Sequence, residues 1–232
     1  MKKNILFMVI CMTIASIVSA QTTEIDRGYI GISLGPAIPL GSFVKDGTST
    51  GGVFDAHFAY KLKKNAGLAV LLRGQYHPVN VQSLAASMRQ AAPGANTNVE
   101  SDGWNSGGLM AGIYSAQSLN QKGTIVFELK TLAGFKTTAS PIVDMRFSSL
   151  EGSGWVRQHS ATATAFSYLV NLGMRFNAGK RMAFMLSADY MNYTPNFKNV
   201  SITTSMGTKE TYNVSQHIQT ININAGIAFR LK

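Results

Sequence analysis

Charge is scarce in this 232-residue chain: only 14% of its residues are Asp, Glu, Lys or Arg, against ~25% in an ordinary soluble domain. Acidic residues are the scarcer sign, 11 against 21 basic ones, for a formal net charge of +10. The basic residues are scattered rather than gathered on one face or run, which argues against a nucleic-acid partner. Only 6 prolines accompany 22 glycines, so collagen-like and low-complexity classes are excluded. Cysteine occurs once, at Cys11. Past residue 20 no apolar run nears the ~18 residues of a membrane helix, and a mean hydropathy of +0.06 is too low for a bundle of such helices. What remains is a glycine-rich, weakly charged chain, 45% apolar. That profile suits a sheet protein in an unusual solvent.

The first twenty residues read as an export signal. Lys2 and Lys3 form a positive start, residues 5–18 an apolar stretch, and Val18-Ser19-Ala20 the small residues that precede cleavage. The apolar stretch is short for a ~30 Å hydrocarbon core, so it is not read as an anchor. Cys11 follows bulky Val9 and Ile10 in mid-stretch, which argues against a lipoprotein. Cleavage after Ala20 leaves a barrel domain over 21–232 with no thiol, held together without disulfides.

Beyond the signal the dominant pattern has period two. Ile30, Ile32 and Leu34 alternate with Gly31, Ser33 and Gly35. Leu68, Val70 and Leu72 alternate with Ala69, Leu71 and Arg73, and Leu129, Thr131 and Ala133 with Glu128 and Lys130. Eight such segments occur, near residues 30–40, 54–62, 68–77, 104–114, 125–136, 166–176, 184–190 and 221–231. Successive strand side chains point to opposite faces, so each segment carries one apolar stripe and one polar or small stripe. Their lengths approach the ~9–11 residues with which a tilted strand crosses a bilayer.

The connections sort themselves. Links at 63–65, 117–122 and 177–180 are short, whereas 41–51, 78–103, 137–160 and 194–216 are long. Strict alternation is expected when short turns face the periplasm and long loops face outside. A soluble sandwich would carry its polar stripe outward; here the apolar stripe is the continuous one. Backbone groups in hydrocarbon must all be paired, so such a sheet must close on itself. The expected fold is all-β: a transmembrane antiparallel up-and-down β-barrel of eight strands, with short periplasmic turns and long extracellular loops. An eight-stranded barrel has an interior largely filled by side chains. Glycines 31, 35, 108, 112, 173 and 226 are expected to ease inward crowding and curvature.

This pattern, from Tyr29-Ile30-Gly31 to Ile221-Asn222-Ile223-Asn224-Ala225-Gly226-Ile227-Ala228-Phe229, resembles the small eight-stranded, porin-like outer-membrane β-barrel proteins of Gram-negative bacteria. The resemblance rests on pattern and speaks to fold far more than to function. It implies an outer-membrane location, contact with outer-membrane lipid and lipopolysaccharide, and handling by the barrel-insertion machinery. Many members end on an aromatic residue. Here Phe229 stands three residues before Lys232 and is the expected equivalent.

Inward parity gathers Asp55, His57, Arg73, Glu128, Lys130 and Asp189 near mid-height of the lumen, with Asn171, Asn222 and Asn224 beside them. Charges in a narrow interior must pair, and the group reads either as a structural salt-bridge plug or as an ion path. Counting from the 63–65 turn sets His57 almost opposite Arg73 and Asp55 one step higher, reached diagonally. Lys61, Arg175 and Arg230 are expected at the periplasmic mouth as a positive rim. Ser215 and His217, with Glu210, form the one local nucleophile–base set; the placement resembles that in outer-membrane lipid deacylases, which carry His before Ser. Histidines 57, 77, 159 and 217 lack zinc-ligand spacing, so neither metal nor cofactor is expected. Residues 81–92 carry apolar side chains at helical spacing before Pro93-Gly94, a short helix over the mouth or on lipid headgroups. The remaining loops read as solvated surface that meets an extracellular ligand. The expected function is therefore structural or loop-mediated binding without enzyme activity, with a small-solute or ion pore and a lipid-modifying enzyme as the alternatives.

Overall fold

The computed structural model describes residues 27–63, 65–91, 96–149 and 152–231. The export segment 1–20 with Cys11, and the Pro93-Gly94 stop, lie outside the described residues. In chain order the elements are β1 (Gly28–Leu40), α1 (Ser42–Lys45), β2 (Gly51–Lys61), β3 (Ala66–His77), α2 (Val81–Ala91), β4 (Asn96–Ser101), β5 (Trp104–Ser118), β6 (Ile125–Ala139), β7 (Val143–Ser149), β8 (Gly152–Gln158), β9 (Thr162–Ala178), β10 (Met182–Tyr193), β11 (Asn196–Thr204), β12 (Lys209–Ser215) and β13 (Ile218–Leu231).

Eight strands close into an antiparallel barrel in the order β1-β13-β10-β9-β6-β5-β3-β2. Burial alternates along each strand as the period-two pattern requires. On β3 Ala69, Leu71, Arg73 and Gln75 are buried, while Leu68, Val70 and Leu72 are exposed. The outward stripe is predominantly apolar, with Ile113 67% and Phe135 63% exposed. Large apolar side chains facing outward over a polar, buried lumen have one compatible solvent, hydrocarbon, in which only a closed sheet leaves no backbone group unpaired. The barrel spans a membrane. Two inward glycines let neighbouring strands close up: a Cβ at Gly112 would sit 2.1 Å from the Thr131 carbonyl oxygen, and one at Gly226 2.2 Å from that of Ile32.

The long connections are folded rather than solvated coil. β12-β11-β8-β7-β4 form a second, five-stranded sheet at the end of the barrel where the long connections emerge. Residues 81–91 are helical, as their spacing predicts, and α2 has its apolar side taken up by the second sheet. Its Val81, Leu84, Ala85 and Met88 pack on Val99, Val143 and Met145 of β4 and β7. Each connection carries a few apolar residues, too few for a core alone and enough when pooled. Polar composition had hidden them.

Candidate functional site

Inward parity and barrel closure bring the lumen charges together. Arg73 is the hub: Nε and Nη2 donate to the two oxygens of Asp55 at 2.7 and 2.6 Å, and Nη1 and Nη2 to those of Asp189 at 2.7 and 2.8 Å. Asp55 is the direct cross-strand partner of Arg73, whereas His57 stands opposite Leu71. The register counted from the turn is therefore two residues out, because the β2–β3 hairpin, which pairs Lys61 with Gly67, is centred one residue earlier than that count places it. His57 instead meets Ser33, Nε2 to Oγ 2.7 Å.

β3 and β10 lie four strands apart around the eight-stranded closure, so the Arg73–Asp189 contact runs across the barrel's diameter. Asn222 and Asn224 donate to Asp189 at 2.7 and 3.0 Å, and Gln75 donates to Asn222 at 2.9 Å. Lys136 completes this layer by bonding Gln75 and lying over the Tyr193 ring. Two carboxylates and two cations share the layer, so its charges balance as a buried network requires.

A second layer lies toward the short turns, centred on Glu128. Its carboxylate accepts from Tyr29 at 2.8 Å, Tyr114 at 3.1 Å and Arg175 Nε at 2.8 Å, with Lys130 Nζ 3.3 Å away. Tyr29 on β1 and Glu128 on β6 are again four strands apart, a second diametral tie. Arg175 lies over the Tyr29 ring at 4.9 Å. Arg175 is thus no rim residue: it is buried, because its strand position, three residues before the end of β9, points inward and Glu128 holds it there. Lys61 and Arg230 do stay at the turn end, half-buried, and Arg230 donates to the Gly179 carbonyl at 2.8 Å.

The other mouth is closed by aromatic packing. Gly41, at φ 61°, turns the chain so that α1 dips inward. Phe43 is then buried edge-on against His77 and Trp104, and Trp104 packs on buried Phe197. Gln216 ties this plug to Asp46 at 2.8 Å. Sequence reasoning named neither Phe43 nor Tyr29, Tyr114 and Lys136 as site residues. Phe43 lies in a connection without periodicity, and the others carried only inward parity.

Ser215, His217 and Glu210 are not assembled. Ser215 ends β12, His217 lies beyond it in the link to β13, and the His217 Nδ1 is engaged with Thr194 Oγ1 at 2.9 Å. Glu210 stands opposite Ile202, five residues from Ser215, or about 16 Å along an extended strand and on its other face.

No family model matches the chain, and no curated protein matches it in sequence. Solved structures do match in architecture. A major outer membrane protein from Thermus thermophilus is 9% identical, with 88% of this chain and 99% of that one covered at a TM-score of 0.48. Ail, the attachment invasion locus protein of Yersinia pestis, is 13% identical over 89% and 99% of the two chains at 0.45. Neisserial surface protein A is 12% identical over 88% and 97% at 0.44.

Proposed function

We propose that this chain is a non-enzymatic outer-membrane protein of a Gram-negative bacterium, exported by a signal cleaved after Ala20, whose sealed barrel is a scaffold for an extracellular binding sheet. The observation that carries this reading is the double diametral tie, Arg73 to Asp189 and Tyr29 to Glu128, under the Phe43 plug. Side chains bonded across the whole width of the lumen obstruct the passage of water, which favours a scaffold over a pore. The folded connections, in turn, present rigid strands where a solvated loop would have to be ordered on binding, and rigidity lowers the entropic cost of association. Outer-leaflet lipid and lipopolysaccharide surround the apolar belt, the insertion machinery delivers the barrel, and the extracellular sheet meets the ligand.

The test is made in two parts. Liposomes holding the purified barrel, in a swelling assay with arabinose, should show no more uptake than empty liposomes. Replacing residues 143–158 by a short turn should leave a barrel that still shifts on SDS gels only after boiling. Solute flux, or loss of the barrel with the sheet, would overturn the separation of scaffold from binding element.

A further inference from the structure

The extracellular sheet carries a large aromatic side chain on a face that has no core to fill. β7 and β8 pair with Arg146 directly opposite Trp155 and Asp144 directly opposite Arg157. β4 adds Asn98 opposite Arg146 and Glu100 opposite Asp144. Strand parity sets all six side chains on one face. The other face of β4 and β7 holds Val99, Val143 and Met145 beneath α2. Trp155, 40% exposed, belongs to the face away from that packing.

Its neighbours have binding capacity in hand. Arg146 and Arg157 both approach Asp144, but at 3.9 and 3.8 Å, with their side chains 65% and 49% exposed. Two five-donor forks thus share one carboxylate at the limit of contact. Three depressions run in line along the β7–β8 pair, of about 410, 340 and 330 Å³. The first and second share Arg146 and Trp155 as walls, the second and third Asp144 and Arg157. They form one track along seven-residue strands, or ~20 Å at strand rise.

We propose that this track binds a linear, uncharged oligosaccharide, with one sugar ring stacked on Trp155 and its hydroxyls bonded by Asn98, Arg146, Asp144 and Arg157. This deepens the reading of the sheet as the binding element and rests on it. A sugar ring presents a weakly apolar C–H face and a rim of hydroxyls that both donate and accept. The complement is an aromatic plate beside planar side chains of mixed sense: guanidinium donors, a carboxylate acceptor and an amide that does both. The charges lining the track are three acidic, Glu100, Asp102 and Asp144, against two basic, Arg146 and Arg157, so no positive field draws a polyanion. Peptide addition to β7 is closed off by β4 and β8 on its two edges, and β8 is covered by β11 over residues 156–158. The same sugar chemistry occurs in the glycan of the membrane's own lipopolysaccharide and in free polysaccharide.

Cellohexaose, maltohexaose and mannohexaose, with hexagalacturonate as the acidic comparison, would be titrated into the intact barrel in detergent and followed by tryptophan fluorescence and calorimetry. Smooth and rough lipopolysaccharide in vesicles form the second arm. A neutral hexasaccharide should bind, and Trp155→Ala should raise its Kd at least tenfold. Trp155→Phe should lose less, and boiling-dependent gel mobility should not change in either variant. Binding by smooth but not rough lipopolysaccharide assigns the sugar to the membrane's own glycan, binding by the hexasaccharides alone to a free one; both support the track. Binding of hexagalacturonate alone, no neutral binding at millimolar concentration in either arm, or wild-type affinity in Trp155→Ala would overturn it. If removing residues 143–158 abolishes binding that Trp155→Ala leaves intact, the track fails while the sheet survives as the binding element; if binding outlasts that removal, the sheet fails too.

Discussion

Arg73 and Asp189 meet across the full diameter of the barrel, Nη1 to Oδ1 2.7 Å, from strands four places apart around the closure. Neighbouring strands are already tied by their backbone ladders. A contact of this kind ties opposite walls, fixes the cross-section of the lumen and fills it. The same guanidinium grips Asp55 on the adjacent strand, so one side chain links three strands.

Removing the hub strands two carboxylates with only Lys136 as a buried counter-charge. Arg73→Met should therefore destabilise by about 3–5 kcal/mol, the usual consequence of breaking a buried ion pair. Arg73→Met with Asp189→Asn leaves Asp55 and Lys136, a balanced layer, and should be more stable than Arg73→Met alone. Urea unfolding in lipid vesicles measures both; a double mutant worse by the plain sum of the singles would show that the two residues are not coupled.

In the lower layer, Glu128 is the acceptor for two tyrosines and an arginine. Glu128→Gln removes the carboxylate charge that faces both Arg175 and Lys130. It should cost more than Lys130→Met, which removes one cation and leaves the Arg175 bond in place. The same unfolding assay ranks them, and the reverse order would remove Glu128 from the centre of the layer.

On the lipid face, Val70→Arg and Leu129→Arg should each cost ~2–4 kcal/mol near the bilayer midplane. Ser187→Arg, of inward parity, should not follow that depth dependence. Equal behaviour on both parities would contradict the face assignment.

The extracellular sheet has its own small core, so Leu84→Asp should loosen it without opening the barrel. Added trypsin should cut the variant within residues 81–158 while the barrel strands stay protected. Cleavage of the barrel, or wild-type resistance throughout, would contradict a separate core.

The barrel was legible because its solvent imposes a strict code. A one-residue slip would turn Val70 into the lumen and Arg73 into lipid, so parity alone places both. Parity also names which charges face inward, but not who meets whom. Arg73 and Asp189 are 116 residues apart, and their contact follows from closure geometry that no local pattern carries. Arg175 shows the same limit: its height near a turn was readable, its capture by Glu128 was not. The extracellular sheet was missed because its strands are paired through polar, short segments, and the apolar residues that hold it come from two connections, Leu84 and Val99 from one and Val143 from the other. Phe43 had no periodicity to betray it.

Single-channel recording in planar bilayers tests most directly the proposal that the cross-braced lumen is sealed. Wild-type protein should insert and give no resolved current steps, and Arg73→Met with Tyr29→Ala and Phe43→Ala, which removes both diametral ties and the plug, should introduce them. Stable, uniform openings in the wild-type protein would contradict the account.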